Sequence, residues 1–282
     1  MNLLQPNIRD LGEFSVRRVL PNAAQRMVGP WVFFDHMGPV EFPPGHGVNV
    51  RPHPHINLAT VTYLFEGEIL HRDSVGSCQP ITAGAINLMV AGSGIVHSER
   101  ETPEVHATTH RVHGLQLWLA LPAAVEEMAP AFHHHAAASI PRAAIGQADV
   151  RVMMGAAYDM QSPVETFSDT LFLEAQLPAA ATLTLPDVAE LGVYVAAGEL
   201  SVAGATVAEY AMATFSNAGG ITVTATQPTR LAIVGGAPLG ERHLFWNFVS
   251  SRRERIEQAK EDWRERRFPS IPGDDEEFIP LP

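Results

Sequence analysis

The sequence predicts an all-β protein built from two related antiparallel sandwiches or barrels. Three observations carry that expectation. Short segments rich in β-branched, aromatic and aliphatic residues recur along the chain with Gly, Pro and Asn between them, and no helices alternate with them. A weak internal echo relates the halves: Tyr63-Leu64-Phe65-Glu66-Gly67-Glu68-Ile69 resembles Tyr194-Val195-Ala196-Ala197-Gly198-Glu199-Leu200, at one offset of 131 residues. Helical periodicity emerges only near the C-terminus.

In chain order, the strand segments are Leu58–Phe65, ending at the Gly67 turn, Ala85–Val90, between Gly84 and Gly92, and Leu115–Leu119, closed by Pro122. Leu171–Leu177 stops at Pro178 and Leu191–Ala196 at Gly198, while Ile221–Thr226 and Leu231–Val234 flank Pro228. Residues 132–141, with His133, His134 and His135, read as a linker or flexible loop, because adjacent side chains on an extended strand point to opposite faces and cannot converge on one ion. Near the end, Ser251 and Glu254 are spaced as a capping box, and Ile256, Ala259 and Trp263 form one stripe of an amphipathic helix. The tail with Phe278, Ile279 and Leu281 reads as a packed strap rather than a disordered acidic end.

Composition narrows the function. The chain has 282 residues, 46% of them hydrophobic, enough for one large domain or two ordinary ones. Its formal charge of −12 argues against direct binding to nucleic-acid phosphates. One cysteine, Cys78, excludes an internal disulfide and fits a reducing interior. The first residues do not read as a secretory signal and no segment has the roughly 20 apolar residues of a membrane helix, so a cytoplasmic protein without membrane partners is expected.

The chemistry is concentrated in two i, i+2 pairs: His53-Pro54-His55, and His97-Ser98-Glu99 after the glycine turn Gly92-Ser93-Gly94. Alternate strand residues share a face, so each pair aims two donors at one point. Three imidazoles and one carboxylate suit a divalent first-row metal, and a larger shell would keep one or two positions open. Such a site needs neutral imidazoles, so affinity is expected to fall as pH drops through about 6–7. The second half has no histidine from 136 to 242, and the 131-residue offset carries the four donors onto Thr184, Pro186, Pro228 and Arg230, which cannot rebuild the site.

At this point the residues resemble the pirin family. The likeness runs through Phe34-Asp35-His36-Met37-Gly38-Pro39, His53-Pro54-His55, 59–67, His71-Arg72-Asp73-Ser74, 91–99, Gly114-Leu115-Gln116-Leu117-Trp118 and Leu121-Pro122, and more weakly through the second half. The resemblance implies a bicupin: two jelly-roll cupin domains in tandem with a C-terminal α-helix. Residues 1–135 would form the metal-binding cupin, and 136–282 a metal-free cupin with the helix and tail. It implies His53, His55, His97 and Glu99 as ligands of one divalent transition metal, iron first, with manganese, cobalt, nickel, copper or zinc also admissible by donor type. Family members are described as iron-binding transcriptional co-regulators or as dioxygenases that open quercetin. Two functions follow: a quercetin 2,3-dioxygenase-type oxidoreductase acting on a flavonoid substrate, with Glu99 as base, or a non-catalytic metal-responsive regulator that binds a protein partner. Many relatives carry glutamate where this chain has Ala59, a departure that weakens the enzymatic reading by removing a general base.

Other motifs read as structure. His71-Arg72-Asp73 lacks the companions of a kinase loop and reads as a strand end with a solvated charge pair. Gly92-Ser93-Gly94 lacks the βαβ context of a dinucleotide site. Asp35 and His36 are placed either as groups behind the metal ligands or as caps of the turn at Gly38-Pro39. His106, His110 and His113 stay unassigned, and Gln116 is the polar side chain expected in the barrel mouth.

Overall fold

Strands such as Ile86–Val90 are buried along their whole length, whereas side chains along others alternate between core and surface, as a half-buried pleated sheet requires. In Ala148–Met154, for instance, Ala148, Val150 and Val152 are buried while Asp149 and Arg151 are partly exposed. The structure is a computed structural model and describes residues 1–282. All seven segments expected as strands lie on strands, namely Leu58–Glu66, Ile86–Val90, His110–Ala120, Thr170–Leu177, Glu190–Ala197, Thr222–Ala225 and Thr229–Gly236. No helix is long and apolar enough to cross a membrane.

The chain divides into two units, one of Met1–Ile8, Arg17–His36 and Ala138–Pro238, the other of Arg9–Val16, Met37–Ala137 and Leu239–Pro282. The chain changes unit near residue 137, and the C-terminal helix and tail lie in the unit containing Met37–Ala137.

The Met37–Ala137 unit is a four-stranded sheet ordered Val50–His55, Ile95–Arg100, Glu68–Asp73, Cys78–Thr82, with a seven-stranded one ordered Ala131–His135, Ile86–Val90, Leu58–Glu66, His110–Ala120, Trp31–Phe42, Ser15–Leu20, Asn7–Asp10. The last three strands of that order cross the unit boundary. Its core includes Phe14, Leu64, Ile69, Ile81 and Val112. The Ala138–Pro238 unit repeats this arrangement strand for strand. Its four-stranded sheet is Thr182–Thr184, Thr222–Ala225, Leu200–Val202, Ala205–Val207; its seven-stranded sheet is Asn2–Leu4, Met212–Ser216, Glu190–Ala197, Thr229–Gly236, Thr170–Leu177, Ala148–Met154, Arg142–Ile145. Its core cluster is mainly aliphatic, from Val150 and Leu173 to Ile233, with Phe215 the one buried aromatic ring of that cluster.

The sequence echo marks the same place in both units. Tyr63 and Tyr194 are fully buried, and Gly67 and Gly198 have φ of +94° and +89° at the passage into the next strand. A Cβ would lie 2.2 Å from Arg111 O at Gly67 and 2.5 Å from Pro228 O at Gly198, which is why both positions are glycine. The offset holds for that hairpin but shortens afterwards. The counterpart of the His97 strand is Thr222–Ala225, not the stretch with Pro228 and Arg230, and Thr182–Thr184 and Thr222–Ala225 carry no ligand side chain.

Two local expectations are corrected. His133, His134 and His135 lie on an edge strand, Ala131–His135, paired with Ile86–Val90, because hydrogen bonding to an existing sheet edge outweighs the loop-like composition. The helix runs Arg253–Arg264 with Arg252 as N-cap and no side-chain cap; the Ser251 hydroxyl instead donates to Glu126 Oε1 at 2.6 Å, so no capping box forms. Ile256, Ala259 and Trp263 are its buried residues, as the stripe predicts. The tail is the strap expected: Trp263 Nε1 donates to Ile279 O, Ile279 N donates to Pro52 O, and Phe278 and Leu281 pack with the helix cluster.

Candidate metal centre

Register alone brings the donors together. Val50–His55 pairs with Ile95–Arg100 so that His53 stands opposite His97, and Ile95–Arg100 pairs on its other edge with Glu68–Asp73, setting Glu99 opposite His71 and His97 opposite Asp73. Opposed residues share a face, as do alternate ones. His53, His55, His97, Glu99, His71 and Asp73 therefore project to one side of the four-stranded sheet.

The ligand nitrogens of His53, His55 and His97 all lie within 4.8 Å of one another, and all three residues are buried. Their protonation is dictated locally. His53 Nδ1 lies 2.9 Å from Arg51 O and His55 Nδ1 lies 3.0 Å from Asn247 O. A carbonyl only accepts, so both Nδ1 atoms carry hydrogen and both Nε2 atoms offer lone pairs. His55 Nε2 is 3.1 Å from His97 Nε2. Converging buried lone pairs are the donor chemistry of a cation site, so the residues fit a divalent transition metal. Burial lowers the His53 pKa to about 4 and pushes those of His55 and His97 well below 6.5, each helped by neighbouring imidazoles. Neutral imidazole is thus maintained well under pH 6, which moves the expected loss of affinity below the 6–7 range.

Glu99 is on the same face but outside the 4.8 Å set. Its half-buried carboxyl is pushed up to about 7 by loss of hydration, against the opposing hydrogen bond from Gln116. Gln116 in turn accepts from Thr62 Oγ1 at 2.8 Å, so the expected barrel-mouth residue is the one that holds Glu99. Trp118 meets the His55 ring edge-on at 4.9 Å, and Phe132 stacks on His71 at 4.4 Å.

Ala59 has a different meaning in the fold. It pairs with Leu119 and Val90, while Thr60 and Thr62, on the opposite face, pair with Trp118 and Gln116. A side chain at 59 points away from the His55 side of the sheet, so the alanine removes no base from the centre. The weight it lent to a non-catalytic regulator goes with it.

Other sequence candidates separate. Asp35 and His36 lie within strand Trp31–Phe42 and neither back the ligands nor cap a turn: Asp35 accepts both Arg18 Nε and Nη2, and His36 Nδ1 is 2.7 Å from the Tyr194 hydroxyl. His106 and His110 pair with Glu101, and His113 packs on Phe65. His71 and Asp73, expected as a solvated charge pair, are buried: His71 Nε2 lies 2.9 Å from Asp73 Oδ2, and His71 Nδ1 lies 3.5 Å from His97 Nδ1. Their i, i+2 spacing is the same signal as that of the two chosen pairs and could have found them. The Asn247 carbonyl has no sequence signal, since every residue carries one.

Two tandem jelly rolls of identical topology, one with a buried histidine cluster and one without, define a bicupin. The chain belongs to the pirin family: residues 13–119 match the Pirin model and 172–269 match the Pirin C-terminal cupin domain. A pirin-like protein of Caulobacter vibrioides is 46% identical over 279 residues, 97% of this chain and 96% of that one. A crystal structure of a quercetin 2,3-dioxygenase from Acinetobacter baumannii superposes with a TM-score of 0.92 at 30% identity, covering 100% of this chain and 94% of that one. A bacterial pirin from Escherichia coli, in complex with nickel(II), shares the fold at a TM-score of 0.65 and 16% identity over 84% of this chain and 99% of that one.

Proposed function

We propose that His53, His55 and His97 bind one divalent first-row metal, iron foremost, and that with Glu99 they form the centre of a dioxygenase that opens the ring of a flavonol such as quercetin. The observation that carries the reading is the convergence of three buried imidazoles, two of which, His53 and His55, hold their Nδ1 hydrogens on backbone carbonyls. The likeness to proteins named as quercetin 2,3-dioxygenases supports the substrate class.

A bound metal would supply a Lewis acid and an open position for a substrate oxygen. Glu99 takes the proton of the substrate hydroxyl, with Gln116 orienting the carboxylate, and a pKa close to the working pH suits that task. Trp118, edge-on to the His55 ring, offers a flat aromatic ligand an apolar wall.

The test is elemental analysis of protein purified without added metal, followed by aerobic quercetin turnover after loading with iron, manganese, cobalt, nickel, copper or zinc. Stoichiometric metal and turnover lost in Glu99→Gln are expected. Absence of turnover with every ion would overturn the enzymatic part, and absence of metal uptake the whole.

A further inference from the structure

Each ligand imidazole needs an acceptor behind it, because Nε2 presents a lone pair only while Nδ1 holds the hydrogen. Backbone carbonyls of Arg51 and Asn247 serve His53 and His55. His97 has no such carbonyl; its Nδ1 faces the Nδ1 of His71 at 3.5 Å. His71 Nδ1 accepts only if its own hydrogen sits on Nε2, and that nitrogen lies 2.9 Å from Asp73 Oδ2. Asp73 is immobile: it is fully buried, and its Oδ1 accepts the amides of Val75 and Ser77 at 3.0 and 2.9 Å. The His71 ring is clamped flat against Phe132, with 17° between the planes.

We propose that the buried His71–Asp73 pair is a positioning element that fixes the tautomer and rotation of His97, so that its Nε2 lone pair faces the metal. This rests on the metal-binding reading above. Hydrogens run in one direction along the chain, from His97 Nδ1 to His71 Nδ1 and from His71 Nε2 to Asp73 Oδ2. Groups behind a ligand in this way typically govern affinity without touching the ion.

The experiment titrates metal-stripped full-length protein with Co2+, reading the visible d–d bands and competition with a chromophoric chelator, with circular dichroism of each metal-free variant to confirm folding. His71→Phe keeps the stack on Phe132 but removes the acceptor, and Asp73→Asn keeps the turn but reverses the His71 tautomer. Both are expected to weaken Co2+ binding about 10–100-fold and shift the bands. His71→Asn, whose amide oxygen takes the place of Nδ1, recovers most of the affinity, and adding Asp73→Asn to it costs nothing more. Wild-type affinity and bands in folded His71→Phe or Asp73→Asn would overturn the proposal, as would equal losses in the Phe and Asn variants at 71. Should His71→Phe not fold, Asp73→Asn and His71→Asn carry the test. Wild-type protein that binds no Co2+ would overturn the metal reading itself, which separates the two failures.

Discussion

His55 Nε2 stands 3.1 Å from His97 Nε2, two buried nitrogens held face to face by strands whose register sets His53 opposite His97. At that distance one nitrogen donates to the other in the metal-free protein, and a bound cation would take the place of that hydrogen.

Replacing His53 and His55 together by alanine should therefore abolish metal uptake while leaving the jelly rolls folded. Elemental analysis together with far-ultraviolet circular dichroism checks this, and stoichiometric metal in the double variant would mean that the ion sits elsewhere.

Acid should destabilise the metal-free protein from about pH 6.5 downward. The His53 pKa is 6.5 unfolded and about 4 folded, so between those values the unfolded chain binds the extra proton and stability falls with pH, by roughly 3 kcal/mol for this group alone. His55 and His97 act in the same direction. Glu99 opposes them, because its folded pKa is raised from 4.5 to about 7 and stability from it grows as pH falls through 7. Urea titrations at pH 7.5 and 5 should show the net loss, reduced in His53→Ala.

Glycine substitutions should separate conformational cost from collision. Gly67→Ala and Gly198→Ala combine positive φ with a Cβ at 2.2 and 2.5 Å from a carbonyl oxygen, whereas at Gly76, φ +96°, a Cβ meets nothing within 4 Å. The first two should each lose more than about 2 kcal/mol and Gly76→Ala about 1 kcal/mol, measured by chemical denaturation.

The tail grips the backs of both ligand strands. Ile279 N donates to Pro52 O beside His53, and Asp274 accepts Ser98 Oγ at 2.6 Å and Arg100 Nε at 2.8 Å on either side of Glu99. Trp263→Ala, which empties the cluster beneath the strap, should cost about 3–5 kcal/mol in thermal or chemical unfolding. Asp274→Ala should speed amide exchange in Ile95–Arg100 with a smaller loss of stability, and unchanged exchange there would rule out a bracing role.

Much of this molecule was legible in one dimension. Runs of β-branched, aromatic and aliphatic residues such as Leu58–Glu66, whose first seven residues are all buried, located strands, because such side chains pack well on a pleated sheet. The Tyr63/Tyr194 and Gly67/Gly198 echo located the duplication, because a hairpin closing on a carbonyl admits only glycine. The i, i+2 pairs located the histidine cluster, because strand geometry converts that spacing into a shared face. His133–His135 misled, since an edge strand is recruited by its neighbour and not by its own composition. Ser251 misled because Glu126, distant in sequence, captured its hydroxyl.

What the sequence determined by itself was therefore whatever depends on a few adjacent residues: strand periodicity, the duplicated hairpin, the stripe of the helix, and the identity of His53, His55 and His97. Tertiary structure decided what depends on register between distant strands. It turned Ala59 away from the centre, tied Glu99 to Gln116, and buried His71 and Asp73 behind His97. The reason is physical: a side chain's face follows from its own strand, but its partner follows from which strand folding lays alongside.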